Sequence, residues 1–557
     1  MSNSIKTKVG EWSTRRRISH LASQIEKQER RTDTGQPIVF FNVSSRIHGL
    51  SLNSAFSLLT GWSFRLAGVP VINYACDSGM SHCVLGTNRD DYHSPPPCQD
   101  CTVQSKRLFA GSQVQWFKYQ GNERLAAGLK NLSIEELSGF QYEFPSLASG
   151  QNHEGTKPII PLGELALPSI RWALRQHNLP DDEDTRYLMR AYMLSAYSTA
   201  ASFNSFLEVN QPAAVVLFNG ILYPEAAARW AARQLGVRVI SHEVGFQPNS
   251  AFFTEGEATA YPIHIPEDFE LNAEQNARLD SYLENRFQGD FTMAGIRFWP
   301  EMHALDETIL GKMGRFQQIV PIFTNVVYDT SQVHANRIFP HMFVWLDVLL
   351  DLIRDHPETL FFIRAHPDEM RPGTAKQSRE SVFDWINRNQ VQELDNVIFI
   401  DSGDYISSYE LIQRAKFVIV YNSSIGLEAS LMGAAVLCGG VARYTQYPTV
   451  FLPESQKKFR NMTEQFLEAE KIQVPPEYQR NARHFIYYQL YRASLPFDEY
   501  LQAGQRMGFV QMKSFKWESL SPDNSNTMHI LYEGIARDSS NRNQEGREDE
   551  FFFPEVG

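Results

Sequence analysis

The segment VIVYNSSIGLEASLMGAAVLCGG runs from an apolar strand into Asn422, Ser423 and Ser424 and then into a helix. Hydroxyls and backbone N–H groups at such a turn can hold a phosphate or diphosphate, because the free amides of a helix start favour anions. Gly426 lets a ligand come close, and Glu428, on the first turns, is placed to meet a ribose hydroxyl. The alternative is an ordinary helix cap, which needs one such residue where this turn offers three. In FFIRAHPDE, Arg364, His366 and Pro367 close another apolar strand. Imidazole can donate to a departing phosphate, or protonate it, near neutral pH; a structural histidine is the alternative. Thr324 and Asn325, and Asp401 to Asp404, end two more strands.

A reaction that attacks with an acceptor hydroxyl also needs a group to take its proton. Asp77, in YACDSG, and His242 with Glu243, in VISHEVG, follow strands in the first half of the chain, and any of the three could serve. Cys76, Cys83, Cys98 and Cys101 end in a C-x-x-C, half of a common zinc pattern. A structural zinc, four free thiols and a redox role all stay open for them; a zinc at Cys76 would hold Asp77 in place.

These residues need strands to carry them. Ile38 to Val43, Leu50 to Ala67 and Val69 to Ala75 read as strand, helix and strand, with Ser44 to Gly49 a loop. Ala213 to Phe218, a turn at Asn219-Gly220, a helix from Pro224 to Leu235 and a strand from Val237 repeat that unit. From Ile319 to Leu437 five apolar strands alternate with helices, which describes a parallel sheet covered on both faces. Ligands of such sheets bind beyond the carboxyl ends of the strands, where the residues above fall. The expected organisation is a polar arm over 1–36, one Rossmann-like domain over 37–300 and a second over 315–475. Terminal helices over 476–520 and a disordered tail over 521–557 complete it. Asp184 to Phe206 reads as a long helix in an otherwise unread stretch, 102–210.

A His-Pro after one C-terminal strand and a Ser-Ser turn opening a later helix resemble bacterial sialyltransferases, capsule Kdo transferases and CDP-glycerol glycerophosphotransferases. NSSIGLEASLMGAAVL is especially similar to capsule polysaccharide synthesis proteins. The resemblance runs over roughly Ile319 to Tyr447 and is weaker before it, where FNG at Phe218 and SHEVGFQP at Ser241 are familiar. It implies an α/β chain of GT-B fold, with two sheets facing a cleft, the acceptor domain over 37–300 and the donor domain over 315–475, and a CMP- or CDP-activated donor. It also implies contacts from His366, Ser423 and Ser424 to the nucleotide and its phosphate. Asp77 partly resembles the paired-acid-glycine motif of the sialyl- and Kdo transferases, with Cys76 in place of the first acid.

Composition narrows the partners. At 557 residues, 43% of them hydrophobic, the chain fills two cores. A net charge of −12 argues against nucleic acid, whose phosphates need a dense field of Lys and Arg. No apolar run reaches the roughly 20 residues that span a bilayer, so a cytoplasmic protein is expected. Arg15, Arg16 and Arg17 leave peripheral contact with the inner membrane face, or with other polysaccharide-assembly proteins, as the alternative to a solvated arm. The expected function is transfer of a sugar from a nucleotide-activated donor to a glycan or lipid-linked glycan acceptor, inverting and without a catalytic metal. A UDP-sugar epimerase and a non-catalytic glycan-binding partner are the alternatives.

Overall fold

The computed structural model describes residues 2–29, 35–43, 49–145, 157–288, 303–370, 377–506 and 508–536, with side chains from residue 9 onward. Most of the Ser44 to Gly49 loop and the chain after 536 lie outside them.

The first sheet contains β1 (Ile38–Asn42), β2 (Val71–Cys76), β3 (Gln113–Phe117), β4 (Ala214–Phe218), β5 (Arg238–Val244) and β6 (Ser250–Glu255). The second contains β7 (Gln318–Phe323), β8 (Thr359–Arg364), β9 (Val397–Ile400), β10 (Val418–Val420) and β11 (Val436–Cys438). A last short strand, β12 (Leu495–Pro496), pairs antiparallel with β6 and returns the chain to the first sheet. The strand orders are β3-β2-β1-β4-β5-β6-β12 and β9-β8-β7-β10-β11. Every pair from β3 to β5, and every pair of the second sheet, is parallel. Both sheets therefore carry the doubly wound order 3-2-1-4-5, with switch points between β1 and β4 and between β7 and β10. Two Rossmann-like units on one chain make the GT-B architecture.

Alternation along β1 shows why this strand is apolar throughout. Ile38 and Phe40 pack with Phe56 and Trp62 of the helix Leu52–Leu66, on one face. Val39 and Phe41 pack with Tyr192 and Phe203 of the helix Glu183–Asn210, on the other. Successive side chains point to opposite faces, so a strand covered twice has no polar position to spare. In the second sheet Val320 and Ile322 likewise meet Trp345 and Leu346 of the helix Met342–Asp355.

The ends of the chain differ from expectation. The arm over 1–36 is a helix, Ser2–Gln28, whose Ile18, Leu21, Ala22 and Ile25 are buried in the first core. Its Arg17 donates to the Met512 carbonyl at 2.5 Å, a tie that a solvated arm would lack. The terminal helices stop early: Pro476–Tyr487 is helical, but Leu501–Ala503 and Phe509–Met512 are strands, the latter paired with Leu50 and Ser51. Residues 521–536, expected in the tail, include the helix Asn526–Leu531, with Met528 and Leu531 fully buried against the first domain. In each case a few apolar residues inside a polar segment decide the outcome, because one buried face is enough to hold a helix. Among the described residues no helix is long and apolar enough to cross a membrane.

Candidate functional site

The second switch point is built from two asparagines. β7 runs out into Thr324 and Asn325, and β10 into Asn422, Ser423 and Ser424. Asn325 Nδ2 donates to Asn422 Oδ1 at 2.7 Å, closing the mouth between the two strands. Beyond it lies a cleft of about 670 Å³, lined by Asn325, His366, Asn422, Ser423 and Ser424 from the second half and by Trp172, Arg175 and Thr259 from the first. That volume falls in the range of sites that enclose small molecules.

Within the turn, Ser424 occupies the N-cap position of the seven-residue helix Ile425–Leu431, yet its side chain makes no capping hydrogen bond. The ordinary cap is therefore not what this hydroxyl does. The Ser423 carbonyl accepts from Tyr444 Oη at 2.8 Å, which pins the turn to the far wall of the cleft. His366 is half-buried at the end of β8. Its Nδ1 accepts from the Asp368 amide at 3.1 Å, so a neutral ring carries its proton on Nε2. The Pro367 turn behind it is closed by Glu369 N–H donating to the His366 carbonyl at 2.9 Å.

Three residues expected here are engaged elsewhere. Glu428 is buried and holds Arg286 at 2.6 Å and Tyr409 Oη at 2.5 Å, so its carboxylate is spent in the core rather than on a ribose. Arg364 is buried too; its guanidinium donates to the carbonyls of Ile406 at 2.5 Å and Asp404 at 3.4 Å, fastening the loop after β9. Gly426 makes room for a neighbour, not a ligand: a Cβ there would stand 2.3 Å from Tyr444 Oη.

The candidates from the first half also separate. His242 is buried, its ring among Phe56, Phe218 and Phe253, and burial pushes its pKa down to about 3. It faces a small cavity at the first switch point together with Asn42 and Glu225, not the main cleft, and stays neutral. Asp77 sits past the end of β2, paired with Lys118 at 3.7 Å, outside the lining of the cleft. Glu243 is also outside the lining, one layer behind it, but its carboxyl interacts with Asp329 and Arg443. The Asn219-Gly220 turn after β4 takes positive φ at both residues, and Asn219 Nδ2 donates to Glu243 Oε2 at 2.8 Å. Burial pushes the Glu243 carboxyl up to about 6; nearby Asp329 adds to the rise, while its own hydrogen bonds and Arg443 oppose it. Asp329 and Arg443 both line the cleft.

Sequence reasoning missed the cleft's charge. Arg175, Arg337, Arg443 and His334 join His366 on its walls, opposite Asp329 and Asp368. Arg443 lies over Phe246 and Tyr261 at 4.8 and 4.4 Å, and Arg175 over Trp172 and Tyr328 at 4.0 and 4.7 Å. His334 is 3.1 Å from Thr259 Oγ1 and 3.5 Å from a Glu257 carboxylate oxygen. The strand-end rule used for His366 applies equally to Asp329 after β7 and Arg443 after β11, and would have found both.

The four cysteines of the first domain come together around a second, smaller cavity, and none forms a disulfide.

A comparison with curated proteins gives no match. Among solved structures, Thermosulfurimonas dismutans KpsC, beta Kdo 2,4 transferase, is 12% identical, with 51% of this chain and 80% of that chain covered and a TM-score of 0.32. UDP-GlcNAc 2-epimerase from Neisseria meningitidis, bound to UDP-GlcNAc, is 14% identical over 53% of this chain and 80% of that chain, with a TM-score of 0.25. Sucrose-phosphate synthase from Thermosynechococcus elongatus is 11% identical over 82% of this chain and 95% of that chain, with a TM-score of 0.26. Residues 299–510, which hold His366, the Asn422–Ser424 turn, His334, Arg337 and Arg443, match the family of capsule polysaccharide biosynthesis proteins.

Proposed function

We propose that this protein is a glycosyltransferase of capsule-type polysaccharide synthesis that takes its sugar from a nucleotide-activated donor, of the CMP or CDP kind, bound in the large cleft. The observation that carries this is the coincidence of three features at one place. The cleft opens at the switch point of the second sheet, where doubly wound folds bind nucleotides. It presents hydroxyls and amides from the Asn422–Ser424 turn, and arginines from both halves. Donor phosphates meet Ser423, Ser424, Arg337 and Arg443 in this proposal, and the arginines supply the positive charge without a divalent cation. As the bond from the sugar to phosphate breaks, His366 Nε2–H donates to the leaving oxygen. The acceptor hydroxyl, glycan or lipid-linked, attacks from the opposite face and gives its proton to Glu243, which inverts the anomeric centre.

The test is a thermal-shift panel of CMP, CDP, UDP and GDP on the wild type and on Ser423→Ala with Ser424→Ala. A ligand bound only by the native state raises the melting temperature. At least one nucleotide should do so, and the double variant should lose the shift at unchanged intrinsic stability. No shift from any nucleotide, or an equal shift in both proteins, overturns the assignment.

A further inference from the structure

Between the end of β2 at Cys76 and the helix Cys98–Leu108 lie 21 residues whose sole regular element is the three-residue 3-10 turn Val84–Gly86. Connections longer than about 12 to 15 residues with no structure of their own are uncommon in compact domains and need something to order them. This one has little apolar material for the task, chiefly Met80 and Val84. What it has at its ends and middle is sulfur.

Cys76, Cys83, Cys98 and Cys101 all face one cavity of about 40 Å³. Two of them open the same kind of turn, Cys76-Asp77-Ser78-Gly79 and Cys83-Val84-Leu85-Gly86. In the first, Gly79 N–H donates to Cys76 Sγ at 3.1 Å; in the second, Gly86 N–H donates to the Cys83 carbonyl at 3.1 Å. A Cβ on Gly86 would stand 2.9 Å from Cys83 Sγ, so this turn closes over the sulfur only with glycine. Cys98 and Cys101 are one turn apart at the start of their helix, on the same cavity.

We propose that Cys76, Cys83, Cys98 and Cys101 close on one zinc ion, as a structural tetrathiolate site that staples this loop to the end of β2 and to the start of the helix Cys98–Leu108. Four S–H protons go to solvent as four S–Zn bonds form, and no redox state changes. Among the described residues no three His, Cys, Asp or Glu side chains are grouped so as to hold a metal ion. Binding therefore draws the four sulfurs together around their shared cavity, to the tetrahedral edge of about 3.8 Å that Zn–S bonds of about 2.3 Å require.

The staple has a consequence for the cleft. The loop is the first domain's reach toward the second: Arg379 donates to Tyr92 Oη at 3.1 Å and to the Arg89 carbonyl at 2.9 Å, and pairs with Asp90 at 3.2 Å. Its neighbour Ser378 donates its amide to the Glu369 carbonyl at 2.7 Å, behind the His366 turn. A zinc-ordered loop thus helps to set how the first domain meets the wall that carries His366.

The experiment is metal analysis of the full chain purified without chelator, beside Cys83→Ser and Cys98→Ser. Roughly one zinc per chain is expected in the wild type, falling severalfold in either variant. Cobalt substituted into the wild type should give the visible bands of a tetrahedral thiolate site, a readout that does not depend on the variants folding. In the native wild type, a thiol reagent should reach the cluster only after a chelator is added. Metal-free protein with promptly reactive thiols, disulfides among the four by mass spectrometry, or iron with inorganic sulfide in place of zinc would each overturn the proposal.

Discussion

Replacing Glu369 by glutamine should stabilise the protein at alkaline pH and leave it nearly unchanged at acid pH. Glu369 is buried behind the His366 turn, where its Oε1 accepts from the Val382 amide at 2.8 Å and its Oε2 has no hydrogen-bond partner. Burial, with Asp401, Asp384 and Glu380 adding like charge, pushes its carboxyl from 4.5 up to about 8. The folded chain therefore keeps this proton while the unfolded chain has lost it. Since the native state binds more protons through that window, stability is full below about pH 4.5 and declines as pH rises toward 8. The slope approaches about 1.4 kcal/mol per pH unit, and integration from pH 5 to pH 8 gives roughly 3.5 kcal/mol as the upper bound for this one group. Glutamine keeps the acceptor for Val382 and has no proton to lose. Urea unfolding of both proteins at pH 5 and pH 8 isolates the effect, because groups of opposite sign such as His177, held down at about 3 chiefly by burial, cancel in the difference. A glutamine variant that is less stable than wild type at pH 8 would refute the reasoning, since it would mean that Glu369 is ionised and paired.

Glu428→Ala should cost about 3–5 kcal/mol of stability, because it strands Arg286 without its buried partner. Nucleotide affinity of the folded fraction, measured by calorimetry, should stay at the wild-type value, and a selective loss of affinity would return Glu428 to the site. Glu243→Gln should lower transfer by about 10²–10⁴-fold with nucleotide affinity unchanged. In the wild type, activity should rise as pH passes the Glu243 value of about 6, since the base works deprotonated, and glutamine should abolish that limb. Equal transfer rates in the two proteins would move the base to Asp329.

The central strands were legible, though not the order in which they pair, because a strand covered on two faces writes itself as a continuous apolar run, and β1, β4, β7 and β8 are such runs. β3 was not: Gln113 and Gln115 are exposed, and alternation on an edge strand dilutes the signal. The helix Leu162–Leu174 hid behind Pro168 in its interior. At the site, the sequence could place residues at strand ends but not aim their side chains. Arg364 and His366 stand two apart on and after one strand, yet one guanidinium turns into the protein and the imidazole lines the cleft. Asn219 carries the reverse lesson, since an Asn-Gly turn reads as punctuation while its side chain in fact grips Glu243.

Charge placement in the cleft follows from how the two halves are joined. Glu380 accepts from the amides of His177 and Asn178 at 2.9 Å each and from Asn178 Nδ2 at 2.5 Å. The Arg175 carbonyl, two residues earlier, accepts from Arg379 N–H at 2.9 Å and from Ser378 Oγ at 3.2 Å. These bonds clamp the segment Arg175–Asn178, where Arg175 itself takes a left-handed backbone at φ 60°, onto the chain that follows the His366 turn. On the other side of the cleft Ile263 and Ile265 donate their amides to Gln446 and Tyr447, just past Arg443. Two arginines that the sequence places 268 positions apart, Arg175 and Arg443, thus stand beside hydrogen bonds between the halves, and each guanidinium is braced against two aromatic rings. A guanidinium held in this way need not reorganise when an anion arrives, which is the condition under which fixed positive charge in a half-enclosed site acts most strongly on developing negative charge.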